Sequence, residues 1–191
     1  VTTKLFALAH AVFHYDRLPR FFSDYDMPAI RTLHPDDWPI YRDLRLRALA
    51  DSPQAFCSTH AEESQRTDDI WAARLAAPAL GSHQQGWPFA VEVDGTPVGL
   101  AWVKMEGAHA SVYQVWVAPE ARGRGVGAAL LDAAITWARA RKASEVRLDV
   151  TAGDGAAARL YRRMGFVDMG APVPMEGRTT FEQAMVLKLG A

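Results

Sequence analysis

The chain has 191 residues, 49% hydrophobic and 23% charged, enough to bury one sizeable core as a single domain. Its formal net charge of -1 gives no electrostatic argument for a nucleic-acid or anionic-membrane partner. One cysteine, Cys57, excludes an internal disulfide framework and fits a reducing, cytoplasmic setting, and no apolar run is long enough to span a bilayer.

Residues 1–26 differ in character from the remainder and read as an N-terminal extension, with residues 27–191 as the domain. His10 and His14 stand at a helical metal-ligand spacing, but no second ligand pair accompanies them, so no metal is expected. Ala29 to Leu33 reads as a strand, and Pro35-Asp36-Asp37 suits the first turn of a helix. That helix carries Trp38, Tyr41, Leu44, Ala48 and Leu49 at helical spacing and stops at Asp51-Ser52-Pro53. Gln54 to Arg66 is polar and reads as irregular. Thr67-Asp68-Asp69 caps a second helix with Ile70, Trp71 and Leu75. Pro88 to Val93 and Pro97 to Met105 form a hairpin around Asp94-Gly95, and Ala110 to Val117 is the next strand.

Beyond that strand, Pro119 ends the ladder, because it has no N–H to give. Gly123, Gly125 and Gly127 follow at alternate positions and open a helix over Val126 to Arg141. Glycines let a backbone approach a ligand closely, and the N–H groups of a first helical turn lack intrahelical partners. With the positive end of the helix dipole and the charges of Arg122 and Arg124, the turn reads as a cradle for pyrophosphate. A Walker loop fails, since no Lys-Ser or Lys-Thr follows the last glycine. A dinucleotide fingerprint fits Gly123-x-Gly125-x-x-Ala128 in spacing, with Asp149 downstream at a strand end. Val146, Leu148 and Val150 alternate with polar residues in a strand, Ala156 to Met164 is helical, and Gly165 stops it. Phe166 to Met169 and Phe181 to Leu189 are the last strands.

Two stretches in order, Arg122-x-x-Gly125-x-Gly127 and Ala157-x-x-Leu160-Tyr161-x-x-x-Gly165-Phe166, resemble the paired motifs of the GNAT superfamily of acyl-CoA-dependent N-acetyltransferases. The resemblance covers Met27 to Leu189. It implies an α/β fold of the α+β kind, with a mixed, mostly antiparallel central sheet of six to seven strands and about four flanking helices. It also removes the dinucleotide rival: four strands precede the glycines, and too little chain follows for the missing βαβ units.

By the same resemblance, the amides of Arg122, Gly123, Arg124, Gly125, Val126 and Gly127 would hold the pyrophosphate of acetyl-CoA. Val115, Trp116 and Val117 would face the pantetheine arm, with Val117 N–H a donor to the thioester oxygen. Tyr161 falls where relatives place the acid for the departing thiolate. Two departures stand out. Asp154 replaces the Asn that usually bonds the cofactor, and Ser111 to Val117 lacks the glutamate base that some relatives carry. Glu62, Glu63, Glu106, His109 or an ordered water are the alternatives. The implied activity is transfer of acetyl from acetyl-CoA to a primary amine by direct attack on the thioester. The alternative is a non-catalytic acyl-CoA-binding or sensing domain. The acceptor, a small-molecule or peptide amine, would be shaped by Pro53 to Glu63 and by Ala171 to Thr180, which includes Arg178. A homodimer is left open.

Overall fold

The computed structural model describes residues 28–76, 86–175 and 179–190. The N-terminal extension, Met27 and Arg178 lie outside the described residues.

Eight strands among them form one sheet in the order β1-β2-β3-β4-β5-β8-β6, with β7 also paired to β8. The strands are β1 (Ala29–Thr32), β2 (Gly86–Val93), β3 (Thr96–Glu106), β4 (His109–Val117), β5 (Glu145–Thr151), β6 (Val167–Asp168), β7 (Val173–Pro174) and β8 (Phe181–Lys188). Every pairing is antiparallel except β4 with β5. The described helices are α1 (Trp38–Asp51), α2 (His60–Ser64), α3 (Asp68–Leu75), α4 (Val126–Ala140) and α5 (Ala156–Arg163). The mixed, mostly antiparallel sheet expected from sequence is therefore present, with one more strand and one more helix than anticipated. β7 is two residues long and includes a proline, too short for a period-2 signal. α2 forms within the stretch that reads as irregular and is held by a capping box. The Thr59 hydroxyl accepts from Glu62 N–H, and Glu62 Oε2 accepts from Thr59 N–H.

The helices divide between the two faces of the sheet. On one face Tyr41 of α1 meets the edges of Trp71 of α3 and Trp102 of β3, each at a ring-centroid distance of 5.8 Å. On the other face Trp137 of α4 stacks with Trp87 of β2. α4 buries Val126, Ala129, Leu130, Leu131, Ala134, Ile135, Trp137 and Ala138. Each fully buried leucine of this set contributes about 1.5–3 kcal/mol. α5 shares the α4 face, because a Cβ on Gly127 would come within 2.9 Å of Leu160 Cδ2.

Under α1 lies a buried ion pair that the sequence pattern did not reveal. Arg45 Nη2 bonds Glu63 Oε1 at 3.1 Å and Ser58 Oγ at 2.8 Å, and Arg66 Nη1 reaches Glu63 Oε2 at 3.0 Å. Glu63 is 1% exposed. Burial pushes its carboxyl upward, but the bonds from Arg45 and Ser58 outweigh that and hold it below its ordinary value. The cluster ties the chain after α1 to the helix. Glu63→Ala would leave Arg45 buried and unpaired. We expect urea unfolding to report a loss of about 3–5 kcal/mol, against under ~0.5 kcal/mol for the exposed Asp43→Ala control.

Candidate active site

The parallel pair β4–β5 is short. Ala110, Ser111 and Val112 register with Val146, Arg147 and Leu148, and there the pairing ends. β4 continues to Val117 against β3, and β5 continues to Thr151 against β8. The strands separate because each stays with its antiparallel neighbour. A bulge enforces the divergence: Trp102 pairs with Tyr113 and Leu100 with Trp116, so Gln114 and Val115 oppose the single residue Ala101. Gln114 takes up the extra residue at φ 57°, and its Oε1 accepts from Tyr41 Oη at 3.0 Å. A cleft of about 740 Å³ opens between the strands, with lining residues from both faces of the sheet.

Val117 lies beyond the last β4–β5 pair with its N–H directed away from β3. Ala118 N–H bonds Val98 C=O at 2.8 Å, which makes Val117–Gly99 a non-hydrogen-bonded pair of the antiparallel ladder. The Val117 C=O accepts from Arg122 Nε at 3.0 Å. Val115 lines the cleft, whereas the Trp116 side chain is buried and donates from Nε1 to Asp51 Oδ2 at 2.9 Å.

The glycine loop lies on the α4 face. Gly123 and Gly125 adopt φ 77° and 76°, a region costly for other residues, and Gly125 is the N-cap of α4. Val126 turns its side chain into the core. The Arg122 guanidinium is not a free charge, for it is salt-bridged to Asp51 at the end of α1. Asp51 thus holds both Arg122 and Trp116. Burial pushes its carboxyl up, but the bonds from Trp116, Ser52 and Arg122 prevail and keep it below its ordinary value. Arg124 is half-buried on the same loop.

Tyr161 of α5 lines the cleft from this face at 5% exposure, against Phe166. Burial pushes its phenol up to about 12. That lies well above an ordinary thiol, and the hydroxyl stays protonated at neutral pH. Asp154 is exposed and turned towards Arg159 and Arg162, and the N-cap of α5 is Gly155 rather than Asp154.

The α1 face of the cleft carries acidic groups. Glu106 accepts from Ser111 Oγ at 2.7 Å and Tyr113 Oη at 2.5 Å, and His109 Nε2 stands 3.4 Å away. The Tyr113 and Ser111 bonds hold the Glu106 carboxyl below its ordinary value. Asp149 and Glu182 line the same cleft. Crowding by the cleft walls and the charge of Glu106 push Asp149 upward, and burial and Asp149 do the same to Glu182. Asp149 is exposed, as a residue on a solvated face is, and it also lines the cleft. It follows the last β4–β5 pair directly, and it was missed because a sequence does not show where a strand pairing stops. Of the candidate bases, Glu62 is committed to its capping box and Glu63 to Arg45, while Glu106 reaches the cleft.

Residues 28–166 match the model of the acetyltransferase (GNAT) family. The chain belongs to that family. It is 36% identical over 138 residues to a mycothiol acetyltransferase of Clavibacter michiganensis subsp. michiganensis, covering 72% of this chain and 41% of that protein. The chain thus spans about two fifths of the length of such relatives. Among solved structures, a GNAT-family acetyltransferase from Streptococcus pneumoniae superposes with TM-score 0.69 at 19% identity, covering 86% of this chain and all of that one (100%). The ribosomal L7/L12 alpha-N-protein acetyltransferase in complex with coenzyme A gives TM-score 0.70 at 13% identity, covering 85% and 94%. These two likenesses establish the GNAT fold, with both GNAT motifs of this chain on the α4 and α5 side of the gap.

Asp51 is the tie between α1 and the GNAT loop. Asp51→Asn should weaken coenzyme A binding measured by calorimetry and lower stability at pH 7. A carboxyl held low when folded stabilises above its unfolded pKa, and that contribution vanishes as pH falls through the folded value. The stability gap between wild type and Asp51→Asn should therefore close as pH drops below about 4.

Proposed function

We propose that the protein is an N-acetyltransferase that moves acetyl from acetyl-CoA to a primary amine by direct attack on the thioester. The observation that carries this reading is the gap past Val112 and Leu148, lined from both faces of the sheet and with Tyr161 and the first turn of α5 in its wall. Pyrophosphate docks on the amides of Arg122 to Gly127 at the N-terminus of α4. The pantetheine arm lies along Val115 to Val117 as an added strand, where Val117 offers an N–H that β3 does not use. The acetyl carbonyl then sits in the gap, and Val117 N–H supports the oxyanion. The amine docks on the α1 face as the ammonium, gives one proton to solvent through that face's carboxylates, and attacks the carbonyl carbon as the neutral base. The C–S bond breaks, the amine loses a proton, and the sulfur leaves as thiolate.

Tyr161 faces the sulfur from the α5 side. With its phenol held near 12 it acts chiefly as a hydrogen-bond donor to the developing thiolate. No metal is invoked, and the proton from the amine is taken on the α1 face by Asp149 or by water linked to Glu106. The Clavibacter relative, named as an acetyltransferase, favours turnover over a domain that only senses acyl-CoA.

Turnover of acetyl-CoA with a panel of amines tests the reading. Tyr161→Phe keeps the ring and its packing, and its single-turnover rate should fall on the order of 10²-fold with coenzyme A affinity unchanged. A wild-type rate would remove Tyr161 from the chemistry. Because the phenol stays protonated until about pH 12, the rate should rise with amine deprotonation and show no alkaline decline through Tyr161 in the usual assay range.

A further inference from the structure

The α1 face of the cleft is polarised. Its β5–β8 side carries Asp149 and Glu182, with Glu106 held beside Tyr113 at the gap. Its opposite side, under α1 and α3, carries Arg74. Arg74 Nε bonds the Tyr41 hydroxyl at 3.3 Å, and its guanidinium lies 5.9 Å and 6.0 Å from the rings of Tyr41 and Trp71. No carboxylate stands within salt-bridge distance of it among the described residues. Arg45, by contrast, is neutralised by Glu63.

An independent observation points to a missing hydrogen-bond acceptor on this side. The Trp102 indole forms part of the cleft wall at 6% exposure, and its Nε1–H has no partner. Arg45 Nη1, in the same wall, is also buried and unpartnered. An orphaned buried donor costs about 1–3 kcal/mol, so a ligand oxygen that these two wall residues turn to meet would relieve that cost. The pyrophosphate is not that oxygen source, because no residue of the glycine loop lines this cleft.

Trp102 is the β3 partner of Tyr113, and Tyr113 stands across the gap from the β5 residue Asp149. The wall therefore runs from the Trp102 and Arg74 donors, past Lys104, over the gap, to carboxylates. Resting on the transferase reading, we infer that the acceptor is a primary amine with an oxygen-bearing group beside it, an α-amino acid or an α-aminoacyl amide. The ammonium docks on the Asp149 side and the carboxylate or carbonyl on the Arg74–Trp102 side. This places the nitrogen over the gap, where it loses its proton to the carboxylate side and meets the thioester carbonyl. A plain alkylamine leaves Arg74 and Trp102 unanswered, and a polyamine sets a second cation against Arg74.

Calorimetry on the protein–coenzyme A complex tests this with three matched series: L-amino acids, their amides, and the amines that remain after removal of the carboxylate. Product analysis with acetyl-CoA runs alongside. The best amino acid or amide should bind about tenfold or more tightly than its stripped amine, the scale of one hydrogen bond to a charged group. Arg74→Gln should erase the advantage of the acids while leaving the stripped amines unchanged, and Arg74→Lys should restore part of it. Trp102→Phe should reduce the advantage of the amides. Equal or tighter binding of stripped amines or diamines overturns the inference, as does an Arg74→Gln effect equal across all series, or no binding by any series. Acetylation of every amine without preference keeps the transferase reading and refutes this one. Preferential amino-acid binding without product keeps this inference and refutes the transfer step.

Discussion

A strand that loses its neighbour leaves backbone N–H and C=O groups without partners, and an interior cannot hold such groups cheaply. β4 is in that position from Tyr113 onwards on its β5 side, since pairing with β5 stops at Val112–Leu148. The chain does not close the gap. It fixes it open, with β3 holding β4 through the bulge at Gln114, β8 holding β5 along its whole length, and α4 and α5 meeting below at Gly127 and Leu160. The cleft and the access from both faces follow from that divergence.

The residues around the gap divide their work by face. On the α4–α5 face the contributions are backbone amides and one buried phenol, suited to a long phosphate-bearing ligand. On the α1 face they are carboxylates, cations and aromatic donors, suited to a small polar acceptor. Arg122 shows how close the two systems lie. Its charge, which reads from sequence as phosphate-directed, is neutralised by Asp51 and used to brace the loop against α1. What remains for an anion there is the helix N-terminus and its glycines.

The loop, α4 and α5 were legible because their signals are local: glycines required at positive φ, a strong apolar stripe, and a motif of fixed spacing. The overall sheet was expected from the GNAT resemblance that the two motifs carry. The bulge was not legible, since Gln114 at φ 57° breaks the usual preference for glycine and is held by Tyr41, a residue 73 positions away. Asp149 and Arg74 acquire meaning only once the sheet places them on one face. α2 had a readable signal, Thr59-x-x-Glu62, that was overshadowed by the polar composition around it. The Arg45–Glu63 pair has no periodic signature at all, because a buried ion pair is defined by its partner rather than its neighbours.

Amide hydrogen exchange at residue resolution tests the central claim most directly, with and without coenzyme A. In the free protein Ala118 N–H, bonded to Val98, should exchange slowly, and Val117 N–H, one residue earlier in the same chain, should exchange fast. Coenzyme A should slow Val117 together with the amides of Gly123 to Gly127. Protection of the loop alone, with Val117 still fast, would contradict the account, because the cofactor would then be held by its phosphates without entering the gap between β4 and β5.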